Sequence, residues 1–189
     1  MKRVALTLTG IAIAVASTLA TASPAMADEN CTGTIGAVTI DDNVQVPNGA
    51  TCTLKGTTVE GNVQVGDGAT LITVRAKIDG NIQSDGYAKV TVKKRTAVDG
   101  DIQLEGGGKF SVTATRVGGN IQVEDNDNGR HLIKNNNVDG DIQANDNNGG
   151  LGISDNRVGG NLQCEGNNPP PTGGGNQVEG DKEGQCSSL

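Results

Sequence analysis

The chain has 189 residues, among them 29 glycines, one tyrosine, one phenylalanine and no tryptophan. Its 15 basic and 22 acidic residues give a formal net charge of −7 at pH 7. Nucleic-acid binding depends on basic patches and on aromatic rings that stack on bases, so this composition excludes a nucleic-acid partner. The scarcity of aromatic rings also excludes the stacking platforms that many sugar-binding sites use.

Residues 1–27 have the features of a signal peptide. Lys2 and Arg3 precede a mostly apolar stretch, and residues 25–27 (Ala-Met-Ala) supply the small residues after which a signal peptidase cuts. A membrane span is the alternative, and the lack of a stop-transfer segment argues against it. We expect a secreted, extracellular chain that begins at Asp28 and has no membrane attachment. It would retain 13 basic and 22 acidic residues, for a formal charge of −9.

A six-residue motif repeats along the remainder of the chain. Its clearest copy is VGGNIQ at residues 117–122, and its third position recurs at residues 42, 61, 80, 100, 119, 140, 160 and 180. Steps of 19 to 21 residues over nearly the whole mature chain are the signature of a solenoid. Polar and apolar residues alternate from Asn120 to Val123, as they do in a strand with one buried face.

These features predict one all-β domain at residues 28–189, a single-stranded parallel β-helix of about eight coils of 19–21 residues. A coil of this size cannot bury its own apolar residues, so the coils must stack at about 4.8 Å. Right-handed winding is expected, and no helix is expected outside the leader. The third motif position is glycine except at Asp42, which predicts positive φ or close approach of the next coil. Asp also tolerates a left-handed backbone.

Four cysteines in an exported chain predict disulfides. Cys31 and Cys52 are 21 residues apart, and Cys164 and Cys186 are 22 residues apart, which is about one coil in each case. A crossing pair would have to span most of a stack roughly 35 Å tall, far beyond the bridging Cα distance of about 4.4 to 6.8 Å. We therefore expect Cys31–Cys52 and Cys164–Cys186, one disulfide at each end of the solenoid.

One outward column consists of glutamines that recur once per coil. Amides at the coil spacing can hydrogen-bond to one another along the stack, so this column predicts a structural polar ladder. Its members are Gln45, Gln64, Gln83, Gln103, Gln122, Gln143 and Gln163.

The column just before the repeated glycine is rich in carboxylates. Its members are Asp41, Glu60, Asp79, Asp99, Gly118, Asp139, Gly159 and Glu179. Carboxylates about 4.8 Å apart repel one another unless they are solvated, partly protonated or bridged by a cation. Together with the adjacent Asp101, Asp79 and Asp99 form the best candidate site for a hard cation such as Ca²⁺. A solvated acidic edge, with Lys77, Arg116 and Arg157 as counter-charges, is the alternative, and no other cofactor is expected.

Two longer connections stand out. Residues 125–137 hold the longest repeat and the only histidine, His131, which is expected to be solvated. In residues 166–177, Pro169, Pro170 and Pro171 cannot donate hydrogen bonds to a strand ladder, so the coil is expected to open into a surface loop. That loop would cap the sheet edge or recognise a partner.

The repeated motif, from VEGNVQ at residue 59 to VGGNLQ at residue 158, is similar to the repeats of bactofilins, cytoplasmic short-coil β-helix proteins that form polymers. The ending, from GGNLQCEGN to KEGQC, also resembles uncharacterised secreted repeat proteins of bacteria, actinobacterial in type. These resemblances imply a parallel β-helix and bring no activity with them. The leader, the 20-residue period and the cysteines depart from the bactofilin pattern, so a monomer is favoured over a polymer.

The sequence therefore predicts a secreted, non-catalytic module that has a structural role or binds an unknown extracellular partner, surface or matrix. No Ser/His/Asp, Cys/His or repeated-histidine arrangement is present in the sequence, and no catalytic residue is assigned. Two alternatives stay open. A polysaccharide-acting β-helix enzyme would need a groove of Asp with Arg or Lys, and an ice-binding solenoid would need ranks of short hydroxyl side chains.

Overall fold

Parallel strands stack along nearly the whole of the described chain, from Glu29 to Gly184. The fold is described from a computed structural model, which covers residues 28–127 and 129–189. Each turn adds one strand to each of three parallel sheets of nine, eight and eight strands, so there are about eight turns. These residues contain no helix that could cross a membrane. The predicted all-β parallel β-helix is confirmed, the signal peptide lies outside the described residues, and right-handed winding stays a prediction.

The strands are numbered in chain order. Sheet A consists of β1 (Glu29–Asn30), β4 (Val44–Val46), β7 (Val63–Val65), β10 (Ile82–Asp85), β13 (Ile102–Glu105), β16 (Ile121–Glu124), β19 (Ile142–Asn145), β22 (Leu162–Glu165) and β25 (Lys182–Gly184). Sheet B consists of β2 (Gly33–Ile35), β5 (Thr51–Lys55), β8 (Thr70–Val74), β11 (Lys89–Lys93), β14 (Lys109–Thr113), β17 (His131–Lys134), β20 (Leu151–Ser154) and β23 (Thr172–Gly174). Sheet C consists of β3 (Thr39–Ile40), β6 (Thr58–Val59), β9 (Lys77–Ile78), β12 (Ala97–Val98), β15 (Arg116–Val117), β18 (Asn137–Val138), β21 (Arg157–Val158) and β24 (Gln177–Val178).

The register places like residues over like. In sheet A, Ile82 pairs with Ile102, Ile102 with Ile121, and Ile121 with Ile142. All four side chains are fully buried, and inward columns from the other two sheets join them in one continuous core. Each coil therefore buries its apolar residues only because a coil lies on either side of it.

Two columns of buried asparagines occupy the corners on either side of sheet B. One contains Asn126, Asn147 and Asn167, and the other contains Asn136, Asn156 and Asn176. Within the first, Asn147 Oδ1 accepts hydrogen bonds from the backbone N–H and the side-chain Nδ2 of Asn126, at 3.2 and 2.9 Å, while Asn147 Nδ2 donates to the Val123 carbonyl at 3.0 Å. Neither ladder was predicted from the sequence.

The repeated glycine of the motif is required by close approach of the preceding coil. A Cβ atom on Gly80 would lie 2.5 Å from Asn62 Oδ1 and 2.7 Å from the Gly61 carbonyl oxygen. None of the seven motif glycines in the described chain has a positive φ. The prediction that these positions need a left-handed backbone is therefore wrong. Asp42 also lacks the left-handed backbone that was expected. Residues one coil before Asp42 lie outside the described part of the chain.

Left-handed backbone is found at the two corners that flank sheet B. Directly after the strands of sheet A it occurs at Gly86, Gly106, Asp125, Asp146 and Gly166, and further along the same corner at Gly49, Gly68, Gly129, Gly149 and Gly150. Between sheets B and C it occurs at Gly56, Arg75, Lys94, Arg95, Ala114, Asn135, Asp155 and Gly175. These residues lie in the short connections between strands, where the chain has to change direction towards the following sheet.

The disulfides pair as the spacing predicts, one near each end of the stack. Cys31 is bonded to Cys52 and Cys164 to Cys186, with Cα–Cα distances of 5.4 and 5.2 Å. At the C-terminal end Lys182 enters the apolar column, and the buried Leu189 joins the core cluster. Two disulfides fit an oxidising, extracellular environment.

The expectation that His131 is solvated is wrong. Its ring is fully buried and stacks on Phe110, with the ring centroids 4.5 Å apart. Nδ1 accepts a hydrogen bond from the Phe110 backbone N–H at 3.4 Å, and Nε2 lies 2.9 Å from the Asn148 carbonyl oxygen. A carbonyl oxygen can only accept, so Nε2 carries the proton of a neutral imidazole. Burial lowers the pKa of His131.

The proline segment turns a corner more tightly than expected. Asn167 belongs to the buried ladder, and Asn168 forms a parallel bridge with Asn148, so backbone pairing continues up to the first proline. Pro169 and Pro170 are exposed, whereas Pro171 is buried and the chain re-enters sheet B directly afterwards. The expected open surface loop is therefore limited to two residues.

We expect Gly80→Ala to lower the free energy of unfolding by about 1–3 kcal/mol, because the added methyl group overpacks the contact with the preceding coil. Gly36→Ala is the matched control, since a Cβ atom there meets nothing within 4 Å and its φ is not left-handed. Its effect should stay within about 0.5 kcal/mol. Urea unfolding with intact disulfides measures both variants, and equal effects would contradict the close-approach explanation.

His131 should make the protein less stable in mild acid. Its pKa is lowered in the folded state, so below its ordinary value of 6.5 the unfolded chain binds a proton that the buried imidazole resists. The contribution of the neutral His131 side chain to the free energy of unfolding is therefore complete above pH 6.5 and decreases as the pH falls below it. Urea unfolding between about pH 7.5 and pH 5.5 should show a smaller pH dependence for His131→Leu than for the unmodified protein. Identical slopes would contradict this assignment.

Candidate interaction surfaces of the solenoid

The glutamine column on sheet A forms a continuous ladder over five coils. Side-chain amides donate from Gln83 to Gln103, from Gln103 to Gln122, from Gln122 to Gln143 and from Gln143 to Gln163, at 2.7 to 3.0 Å. Gln163 then donates to Glu183 at 3.0 Å. Gln45 and Gln64 occupy the same column by register. The ladder holds long side chains flat against the sheet, which gives an ordered polar surface.

A second outward column on sheet A is acidic, and the sequence analysis did not identify it. It contains Asp85, Glu105, Glu124, Asn145 and Glu165, which pair in register across adjacent strands. Shallow depressions run between this column and the glutamines. The signal was available in the sequence, because each residue follows its column glutamine by two positions. Sheet A thus presents amides beside carboxylates.

The corner between sheets C and A is built by Asn and Asp side chains that accept backbone N–H groups from the next coil. Asn81 Oδ1 accepts from the N–H of Asp101 at 2.7 Å, and Asp101 Oδ1 accepts from the N–H of Asn120 at 2.6 Å. The same pattern runs from Asn43 to Asp181. One oxygen of Asp101 is therefore committed to the fold.

Basic residues of sheet C pair with the acidic column that was considered for Ca²⁺. Lys77 Nζ lies 2.5 Å from Asp79 and 3.9 Å from Asp99, and the hydrogen bond to Asp79 raises the pKa of Lys77. Arg116 and Arg157 make equivalent ion pairs with the acidic residue of the following coil, at 3.0 and 2.9 Å. In the described part of the chain no group of three or more His, Cys, Asp or Glu residues is placed to hold a metal ion. The Ca²⁺ site at Asp79, Asp99 and Asp101 stays a prediction.

The outer face of sheet B differs in composition from the outer faces of sheets A and C. Its central column carries short hydroxyl side chains at Thr34, Thr53, Thr91, Ser111 and Thr172, interrupted by Ile72, Leu132 and Gly152. A shallow groove follows this column where it passes Lys89, Lys109 and Arg130.

Two further titratable residues with a shifted pKa are buried. Tyr87 is almost fully buried, its hydroxyl donates to Asn126 Oδ1 at 2.6 Å, and burial raises its pKa. His131 packs against Phe110, as described above. Tyr87 packs the corner between sheets A and B, His131 packs inside sheet B, and neither lines the grooves of the outer faces. Active sites often concentrate shifted groups in a cleft, and these two have a structural explanation.

Comparison with protein-family models, with curated proteins and with solved structures gave no match. The similarity to bactofilins therefore depends on the repeat motif alone, and the similarity to secreted bacterial repeat proteins depends on the C-terminal sequence from GGNLQCEGN to KEGQC.

The buried and the surface amide ladders should differ in energetic weight. Asn147→Ala would leave several corner groups without partners inside the protein, and each buried unsatisfied group costs about 1–3 kcal/mol. Gln122→Ala removes hydrogen bonds that water can replace, so we expect a loss of about 1 kcal/mol or less. Chemical denaturation of the two variants makes the comparison. A larger loss for Gln122→Ala would contradict this account of the corners.

Proposed function

We propose that this protein is a secreted, non-catalytic β-solenoid that acts as a rigid interaction module on an extracellular surface or matrix. The observation that carries the proposal is that the polar groups of the interior and the corners are hydrogen-bonded within the stack of coils. Among the described residues no buried side-chain nitrogen or oxygen lacks a hydrogen-bond partner. A hydrogen-bonded stack of coils holds its outward side chains in fixed columns, and such columns are suited to binding a partner with a repeating structure.

The arrangement of ionisable groups favours binding over catalysis. The carboxylates beside sheet C are engaged by Lys77, Arg116 and Arg157, and Asp101 accepts a backbone hydrogen bond. The depressions on sheet A are lined by amides and carboxylates without a basic side chain. A polysaccharide-acting β-helix enzyme requires a groove of Asp with Arg or Lys, and one depression beside sheet C does contain Asp155 and Arg157. Both side chains are held in ion pairs with other residues, Asp155 with Lys134 at 3.3 Å and Arg157 with Glu179 at 2.9 Å, which favours a structural role for them.

A monomer is the proposed state. A solenoid polymerises most simply by adding strands to its ends, and here β1 has two residues and β25 carries the exposed Glu183 next to the disulfide of Cys164. Short, charged edge strands disfavour such addition. Bactofilin-like assembly is therefore the less supported reading of the repeat.

Ice binding has one observation in its favour, the hydroxyl column of sheet B. The column is broken at Ile72, Leu132 and Gly152, and lysines flank it. We expect the purified protein to show no thermal hysteresis.

The proposed function is tested with the exported, disulfide-bonded protein. Incubation with acidic polysaccharides should release no new reducing ends and no unsaturated products, and analytical ultracentrifugation should give one monomeric species at increasing protein concentration. Release of oligosaccharides would overturn the non-catalytic assignment. Filaments or a concentration-dependent rise in mass would overturn the monomer.

A further inference from the structure

Charge is segregated among the three sheets. No strand of sheet B contains Asp or Glu, whereas its strands contain five lysines, which are Lys55 in β5, Lys89 and Lys93 in β11, Lys109 in β14 and Lys134 in β17. Sheet A shows the reverse, since Lys182 is the one basic residue in its strands and donates to the Leu189 carbonyl. A chain with an acidic excess of nine after loss of the leader thus reserves one face for cations.

The cations of sheet B stand in two ranks with a groove between them. Lys89 pairs in register with Lys109, and Arg130 extends this rank to the next coil, because it precedes Leu132 by two residues as Lys109 precedes Ser111. Lys93 and Lys134 belong to the opposite rank, about 13 Å away across four residues of strand. The groove floor consists of Thr91, Ser111 and Leu132.

Most of these cations have no ion-pair partner among the described residues. Within residues 28–127 and 129–189, ion pairs within 4.0 Å join Lys134 to Asp155 at 3.3 Å but do not include Lys89, Lys93, Lys109 or Arg130. Like charges about 4.8 Å apart on adjacent strands repel each other. The fold does not need them, because Thr51 and Thr70 occupy the rank of Lys89 in neighbouring coils.

We propose that this basic face of sheet B, defined by Lys89, Lys93, Lys109, Arg130 and Lys134, binds a linear anionic polysaccharide along the solenoid axis. Carboxylates on successive sugars would meet the two cation ranks, while the hydroxyl groups of Thr91 and Ser111 are placed to hydrogen-bond sugar hydroxyls. Charge and hydroxyl contacts would replace the aromatic stacking that the composition excludes. The inference rests on the proposed function as an interaction module and names its ligand class.

Other occupants fit the face less well. Single-stranded nucleic acid is bound by stacking on exposed aromatic rings, and the described chain buries both Tyr87 and Phe110. Sheet A of a second copy would offer carboxylates, but two copies each carrying a formal charge of −9 repel as whole bodies.

The test measures binding of sodium polygalacturonate to the exported protein, with the fully methyl-esterified polymer as the uncharged probe. Lys89→Gln combined with Lys109→Gln removes two cations from one rank. The matched control is Arg116→Gln combined with Arg157→Gln, which makes the same change in net charge on sheet C. All four side chains are exposed, so each double variant should fold, and thermal melting confirms this.

We expect binding of polygalacturonate that weakens with salt and is absent for the esterified polymer. The Lys89/Lys109 pair should raise the Kd roughly 25-fold, from about fivefold per cation facing an anionic surface, and the control pair should change it little. No binding at low ionic strength, equal losses for both pairs, tighter binding of polyphosphate than of polygalacturonate, or self-association abolished by the Lys89/Lys109 pair would each overturn the proposal. Cleavage of the bound polymer would overturn the non-catalytic function and leave the face assignment standing.

Discussion

Vertical registry between coils is the constraint on which this structure depends. Three parallel sheets set the coil spacing, and the corners maintain it through side chains that bond to the coil above or below, as Asn147 does to Asn126. A buried amide without a partner is costly, so a coil out of register would expose several unsatisfied groups at once. Registry therefore also fixes where every outward side chain stands.

Vertical registry brings like charges of successive coils close together. Any charge repeated at one motif position faces its copies about 4.8 Å away, and the chain handles this differently on each sheet. On sheet C, Lys77, Arg116 and Arg157 neutralise the acidic column. At the corner towards sheet A, Asn alternates with Asp, so that Asp101 lies between Asn81 and Asn120. On sheet B, Lys134 pairs with Asp155, whereas Lys89 and Lys109 lie next to each other on adjacent strands and are exposed to solvent.

The sequence was sufficient for features that repeat at one motif position. Strands, inward columns, the glutamine ladder and both disulfides follow from a period of about 20 residues. The corners were predicted less well, because coil length varies there between 19 and 21 residues and hides the alignment. Asn126 Oδ1 accepts a hydrogen bond from the backbone N–H of Gly107 in the preceding coil, and His131 stacks on Phe110. Both contacts can be read from the sequence only if the positions of the extra residues in the longer coils are known. The acidic and basic faces depend on columns outside the motif.

The inward and outward columns of this solenoid are under different structural constraints. Inward positions must be apolar or fully hydrogen-bonded, and a change at Ile121 or Asn147 is felt by two neighbouring coils. Outward positions tolerate variety, since Thr70 and Lys89 occupy successive levels of one rank without altering the strand pairing. The rank of Lys89, Lys109 and Arg130 places cations on three successive coils without an ion pair in the described chain, and strand pairing does not require them. The anionic polysaccharide that we propose as a ligand would account for this rank.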